Sequence, residues 1–238
     1  MAGPSPILLV FGATGFLGSH VHRAAVADGW VVVGTSLTRT APDGGARVDI
    51  TDERAVDDLV QRVRPAAVVN AAYRQTGPDA AAVNVDGAAH VARAAARVGA
   101  RLVHVSTDVV FDGTAGRPYT EVDPVCPRAE YGRTKAAAEV AVARAHAGAV
   151  LVRTSLIYGG PVDPSSTHEV MARDPEASFY VDELRCPVQV DDLAAAVVEL
   201  CGSGPAGVVS GPLHVAETLA THPIPAQQNP KPYFCKEE

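Results

Sequence analysis

The segment Ile7-Leu8-Leu9-Val10-Phe11-Gly12-Ala13-Thr14-Gly15-Phe16-Leu17-Gly18 decides how the rest of the chain is read. An apolar run suited to a buried strand passes into a turn whose glycines, Gly12, Gly15 and Gly18, stand three apart, and an amphipathic stretch begins at Phe16. A helix N-terminus offers unpaired N–H groups and the positive end of its dipole to a pyrophosphate. Glycine removes the side chains that would block the approach. Spaced glycines alone also fit a plain strand-to-helix turn; the strand before and the helix after make this a dinucleotide-binding turn, with Thr14, Phe16 and Leu17 beside the glycines.

Outward from this turn, short apolar runs alternate with longer Ala-rich amphipathic segments, the pattern of a parallel sheet covered on both faces. Strands are expected near Ile7 to Phe11, Trp30 to Gly34, Ala67 to Asn70, Leu102 to Ser106 and Val150 to Thr154. Their continuous Val, Leu and Ile content suits strands buried on both sides. Helices are expected over Phe16 to Asp28, Asp52 to Arg64, Val83 to Val98, Tyr131 to His146 and Asp191 to Cys201, with Asp52 and Asp191 as N-caps. The fold class is therefore α/β, a doubly wound parallel sheet of Rossmann type, with a small and incomplete substrate lobe. The expected divisions are a dinucleotide-binding domain over 1–154, a mixed substrate lobe with returning scaffold elements over 155–215, and an atypical Pro-rich tail over 216–238.

Composition narrows the function. At 238 residues with 47% hydrophobic and 20% charged side chains, the chain has the makeup of a folded domain. A formal charge of −7 argues against nucleic acid or an anionic membrane as partner. Cys126, Cys186, Cys201 and Cys235 lie far apart, which suggests free thiols in a reducing cytoplasm. No basic, apolar leader precedes Ile7, so export is not expected. His20, His22, His90 and His104 show no ligand spacing, and no metal is expected.

The second strand ends Gly34-Thr35-Ser36-Leu37-Thr38-Arg39, with no acid at the tip to bond an adenosine ribose. Ser36 and Arg39 suit a 2′-phosphate, since a guanidinium pairs bidentately with phosphate. NADPH is the expected cofactor, with NADH as the alternative and a solvated Arg39 as the plainer reading.

Tyr131 and Lys135 stand i, i+4 and share one face of their helix. A tyrosine titrates near 10, so proton exchange near neutrality requires a drop of about 3 units, roughly 4 kcal/mol. An ammonium about 4 Å away at an effective dielectric of about 20 contributes about that much. The spacing also fits a surface pair, but Lys135 is the one lysine before Lys231 in a chain that otherwise uses arginine. Thr107 follows a strand's carboxyl end, where doubly wound sheets bind ligands; its hydroxyl suits a substrate oxygen, or a loop cap.

Taken together, Gly12, Gly15 and Gly18, Val69-Asn70-Ala71-Ala72, Ser106-Thr107-Asp108-Val109-Val110-Phe111-Asp112-Gly113, Tyr131-Gly132-Arg133-Thr134-Lys135 and Arg153-Thr154-Ser155 resemble, in order and spacing, the extended, sugar-nucleotide branch of the short-chain dehydrogenase/reductases. Within it the dTDP-4-dehydrorhamnose reductases are most similar, over Ile7 to about Val215. The resemblance implies a reductase of a nucleotide-linked 4-keto sugar: Tyr131 gives a proton to the developing alkoxide, Thr107 holds it, and Lys135 lowers the Tyr131 pKa and positions the ribose. It implies adenine contacts at Asp49 and Ile50 and a cofactor turn at Asn70, Ala71 and Ala72. Arg185 falls in a loop matching the substrate lobe and meets a diphosphate or is a surface charge. Val109 stands where the family has a tyrosine, which leaves the sugar open. A homodimer is a candidate assembly.

Two other classes stay open: an epimerase or dehydratase that retains its nicotinamide cofactor, and a non-catalytic cofactor-binding regulatory subunit. The tail, with Pro223, Pro225, Pro230, Pro232 and two of the three lysines, departs from the rest in composition where the family continues with further helices. A truncation or frameshift is expected there.

Overall fold

The computed structural model describes residues 5–159, 166–177, 185–202 and 209–216. The compositionally odd tail lies outside the described residues from position 217 on. The main sheet contains β1 (Ile7–Phe11), β2 (Val31–Ser36), β3 (Ala46–Arg47), β4 (Ala67–Asn70), β5 (Arg101–Thr107), β6 (Val150–Thr154) and β9 (Gly211–His214). Its order is β3-β2-β1-β4-β5-β6-β9, and every adjoining pair is parallel. The chain steps from β1 to β2 and β3 on one side, then crosses to β4 on the other. At such a reversal of strand order a ligand crevice opens at the carboxyl ends of the strands.

Successive strand residues go to opposite faces. Leu9, Phe11, Val68, Leu102 and Leu151 pack under α2 (Glu53–Val63), α3 (Ala88–Val98) and α4 (Glu130–Ala145). Leu8, Val10, Val69, Val103, Val150 and Val152 pack under α1 (Phe16–Ala27) and α6 (Val190–Cys201). Burying each such side chain contributes about 1.5–3 kcal/mol before the entropy of ordering it. A separate two-stranded parallel sheet pairs β7 (Ile157–Tyr158) with β8 (Val188–Gln189), and the short α5 (Thr167–Ala172) lies between them in sequence.

The expected strands and helices are present, with three differences. The segment read as one helix from Val83 opens as a π-helical turn, Ala82–Gly87, before α3 begins. Its wider turn is held by Asn84, whose buried amide bonds the Arg74 backbone at both N–H and C=O and donates to Thr134 Oγ1 at 2.9 Å. The second difference is at α6, where Gln189, rather than Asp191, is the N-cap. The Gln189 side chain accepts from the Asp191 and Asp192 amides, and Asp191 instead meets His20 Nδ1 of α1 at 2.5 Å. The third is β2, which runs two residues past Gly34 and brings Ser36 to its tip. Asp52 caps α2 as expected, accepting from Ala55 N–H. Cys126, Cys186 and Cys201 are free thiols, and Cys235 lies outside the described residues. Among the described residues no helix is long and apolar enough to cross a membrane.

Candidate active site

The glycine turn works through close approach of backbones. Gly12 has φ +81°, and a Cβ there would sit 2.9 Å from Ala72 N and 3.0 Å from the Ala71 carbonyl carbon. A Cβ on Gly18 would fall 2.1 Å from Gly12 O, so the glycine lets α1 rest directly on the turn. Above the turn is a cleft of about 500 Å³. It gathers Gly12, Thr14, Gly15, Phe16, Ser36, Arg39, Asp49, Ile50, Ala71 and Ala72 of the expected cofactor set.

Leu17, Gly18, Asn70, Tyr131 and Lys135 do not line this cleft. Leu17 packs into the core below. Asn70 is buried and shapes the wall, its Oδ1 accepting from Ala72 N–H at 3.2 Å. At the other end, Ser36 Oγ accepts from Thr14 Oγ1 and from Arg39 N–H, each at 3.1 Å. Arg39 Nη1 donates to Thr14 O at 3.1 Å, and this exposed guanidinium pairs with no carboxylate among the described residues. Asp49 accepts from both Thr51 N–H and Thr51 Oγ1. A backbone cradle that no Cβ could enter, with a guanidinium at one end that no carboxylate of the described residues neutralises, fits a phosphorylated dinucleotide.

Thr107 closes β5. Its Oγ1 accepts from Val109 N–H and donates to Asp108 Oδ1, each at 3.3 Å, so the hydroxyl also caps the tight turn Asp108–Val110. The Val109 carbonyl supports the first turn of α4: a Cβ on Gly132 would lie 2.3 Å from it. The Tyr131 ring stands 5.9 Å from the ring of Tyr73, which lines the cleft. This contact puts the phenol at the cleft's edge.

The structure corrects the expected electrostatics of the phenol. Burial, then Tyr73 and Asp108, push the Tyr131 pKa well above its usual range, and Arg185 is the group that opposes them. Lys135 is 2% exposed, and its Nζ donates to Val105 O at 2.6 Å and lies 3.4 Å from His104 Nε2. No hydrogen bond joins it to Tyr131. The two share a helix face, but α4 packs across β5, and the longer side chain ends on the strand's carbonyl. Burial lowers Lys135 to about 8, against the pull of the Glu139 carboxylate.

Arg185 is neither a loose surface charge nor an uncommitted diphosphate ligand. It clamps Asp108 in two bonds, Nε to Oδ2 at 2.8 Å and Nη2 to Oδ1 at 2.7 Å, and its Nε also reaches Ser155 Oγ at 3.3 Å. A bidentate pair of this kind fixes orientation as well as charge.

Sequence reasoning missed several groups. Glu139 takes both Arg153 Nη2, at 2.7 Å, and Ser106 Oγ, at 2.5 Å, with Arg153 and Glu139 almost fully buried. The signal for it was spacing, since Glu139 extends the Tyr131, Lys135 face by one more turn. His104, for which the sequence showed no ligand spacing, is buried and bridges Asn70 and Lys135. Tyr73, Asn84 and the Asp108 partnership had no local signal.

The comparisons with known proteins agree with this geometry. A family model described as the RmlD substrate binding domain matches residues 7–222. The chain is 36% identical over 228 residues to a dTDP-4-dehydrorhamnose reductase of Mycobacterium tuberculosis, covering 91% of this chain and 71% of that one. It is 37% identical over 163 residues to methionine adenosyltransferase 2 subunit beta of Rattus norvegicus, covering 66% of this chain and 48% of that one. Among solved structures, a dTDP-4-dehydrorhamnose reductase from Bacillus anthracis in complex with NADP aligns with a TM-score of 0.77 at 28% identity, over 90% of this chain and 75% of that one.

Proposed function

Given that the chain belongs to the RmlD substrate binding domain family, we propose that it is an NADPH-dependent reductase of a nucleotide-linked 4-keto sugar of the dTDP-4-dehydrorhamnose type. Its cofactor domain is assigned to 1–154 and its mixed substrate lobe, with returning scaffold elements, to 155–215. The observation that carries this reading is the Tyr131 phenol, held at the edge of the cleft against Tyr73.

The bound cofactor supplies the hydride. This chain's residues do the rest. Gly12, Gly15 and the N-terminus of α1 receive the pyrophosphate, and Ser36 and Arg39 receive the 2′-phosphate. Thr107 Oγ1 turns its one hydrogen from Asp108 Oδ1, which Arg185 continues to hold, to the carbonyl oxygen of the sugar and keeps that bond as charge develops there. Tyr131 gives that oxygen its proton. The phenol is protonated at neutral pH, as an unperturbed tyrosine also is, and so holds the proton that the alkoxide takes. The Arg185–Asp108 clamp keeps the turn after Thr107 in place, and the guanidinium moderates the rise in the Tyr131 pKa.

The test is NADPH consumption with a dTDP-4-keto-6-deoxy sugar. Tyr131→Phe should lower turnover by about 10²–10⁴-fold and leave NADPH affinity as it was. Turnover unchanged by the substitution would overturn the assignment of the acid. Binding of NADPH with no consumption in the intact chain would favour the regulatory-subunit reading, to which the likeness to methionine adenosyltransferase 2 subunit beta also points.

A further inference from the structure

His104 lies at the bottom of the site, 1% exposed, with a nitrogen donor against each ring nitrogen. Asn70 Nδ2 is 3.3 Å from Nδ1, and Lys135 Nζ is 3.4 Å from Nε2. The amide cannot simply be turned over, because its Oδ1 accepts from Ala72 N–H at 3.2 Å. A neutral imidazole has one acceptor nitrogen and one N–H. Burial holds this ring neutral, far below the usual histidine range, and Lys135 adds to the effect whenever it is charged. If Nδ1 accepts from Asn70, the ring proton is on Nε2 and faces Lys135. A charged Lys135 would then set donor against donor in a dry site, whereas a neutral amine accepts from Nε2–H and still donates to Val105 O.

We propose that His104 is a positioning residue that couples the charge on Lys135 to the Asn70–Ala72 wall of the cofactor cleft. When Lys135 takes up a proton from solvent, the ring's own proton moves from Nε2 to Nδ1, so that Nε2 accepts from the ammonium. Asn70 then turns its oxygen to the ring, which sets its Nδ2 against Ala72 N–H, and this donor pair is relieved when an oxygen in the cleft accepts from Ala72 N–H. That amide lies beside Gly12 in the cleft wall, where a bound phosphate or ribose oxygen can accept from it. One proton is bound in the process and the ring stays neutral. Ligand in the cleft and charge on Lys135 therefore favour one another, as linkage requires.

Of the other charges around Lys135, Glu139 still draws its pKa upward but is itself tied by hydrogen bonds, and the rest are paired at a distance. Glu139, on its own helix, is held by Arg153 of β6 and Ser106 of β5. Arg93 and Arg97 of α3 pair with Glu53 and Asp57 of α2. Tyr131 is uncharged at neutral pH, and the π-helical turn contributes the neutral Asn84.

The test is long-range proton–nitrogen NMR of the His104 ring in the full chain, from about pH 9.5 to about pH 6.5, a window that brackets the lowered lysine. The protonated nitrogen should change from Nε2 at high pH to Nδ1 at low pH. The Ala72 amide should shift with the same midpoint, and saturating NADP should move that midpoint upward. One nitrogen protonated throughout, or a ring that titrates to imidazolium, would overturn the proposal. These readings need no turnover, so they stand or fall apart from the reductase reading. A second arm does rest on that reading. His104→Gln offers Lys135 an acceptor in either charge state, so the alkaline limb of kcat/KM should move up by about half a unit to one unit. A lower kcat with the limb unmoved would leave His104 a packing role only and would also overturn the proposal.

Discussion

The two faces of the main sheet are built from different chemistry. Under α1 and α6 the strands present Leu8, Val10, Val69, Val103, Val150 and Val152, and the helices meet them with Leu17, Val21, Leu193 and Val197. Under α4 the corresponding positions of β5 and β6 are His104, Ser106 and Arg153, which meet Lys135 and Glu139. An aliphatic interface accepts many arrangements of similar volume. The polar one is satisfied in a single register: sliding α4 by a turn would take Lys135 from the Val105 carbonyl and Glu139 from Arg153 together. The apolar face holds the sheet together, while the polar face fixes where Tyr131 stands relative to Thr107.

The largest effect expected from this contrast is at Glu139. Glu139→Leu leaves the Arg153 guanidinium buried without its carboxylate and should cost about 3–5 kcal/mol in urea unfolding. The double substitution Glu139→Leu with Arg153→Met should recover most of that loss, because an apolar pair of similar volume no longer buries an unpaired charge. If the comparison holds, the double variant is folded but a poor catalyst, its α4 no longer tied to one register. A double variant with full turnover would show that packing alone positions Tyr131.

Much of the fold was legible because it is local. The glycine turn declares itself by spacing, the strands by continuous aliphatic runs, and the Tyr131, Lys135 face by the helical repeat. The polar face was hidden for a physical reason. Arg185 finds Asp108 across 77 positions, and Asn84 finds Thr134 across 50, contacts that the fold creates and no local pattern announces. Where the Lys135 side chain ends was hidden for the same reason. Helical spacing fixes which face a side chain leaves from, and the strand below decides where a long one ends, here on the Val105 carbonyl.

A smaller effect is expected at Ser106. Its hydroxyl donates to Glu139 Oε1, so Ser106→Ala removes a buried bond to a charged acceptor, worth about 1.5–3 kcal/mol. The loss should fall to near zero in the Glu139→Leu background, where the acceptor is already gone. A double-mutant cycle measures this, and strictly additive losses would mean that the hydroxyl acts independently of the network.

The smallest effect has the opposite sign, and it separates the two faces most sharply. Thr154 ends β6 in register with Thr107, on the side of the sheet that carries Val150 and Val152. Its Oγ1 is buried and has no hydrogen-bond partner among the described residues. A hydroxyl in that position loses its water and gains nothing in exchange. Thr154→Val keeps the shape of the side chain and should raise stability by about 1 kcal/mol in the free protein, read from the urea midpoint at unchanged slope. The same kind of exchange that costs stability at Ser106 would thus add it at Thr154, two strand-end hydroxyls on adjoining strands and opposite faces. A destabilised Thr154→Val would mean that this hydroxyl is satisfied after all, and that the apolar face carries a polar contact of its own at the end nearest the chemistry.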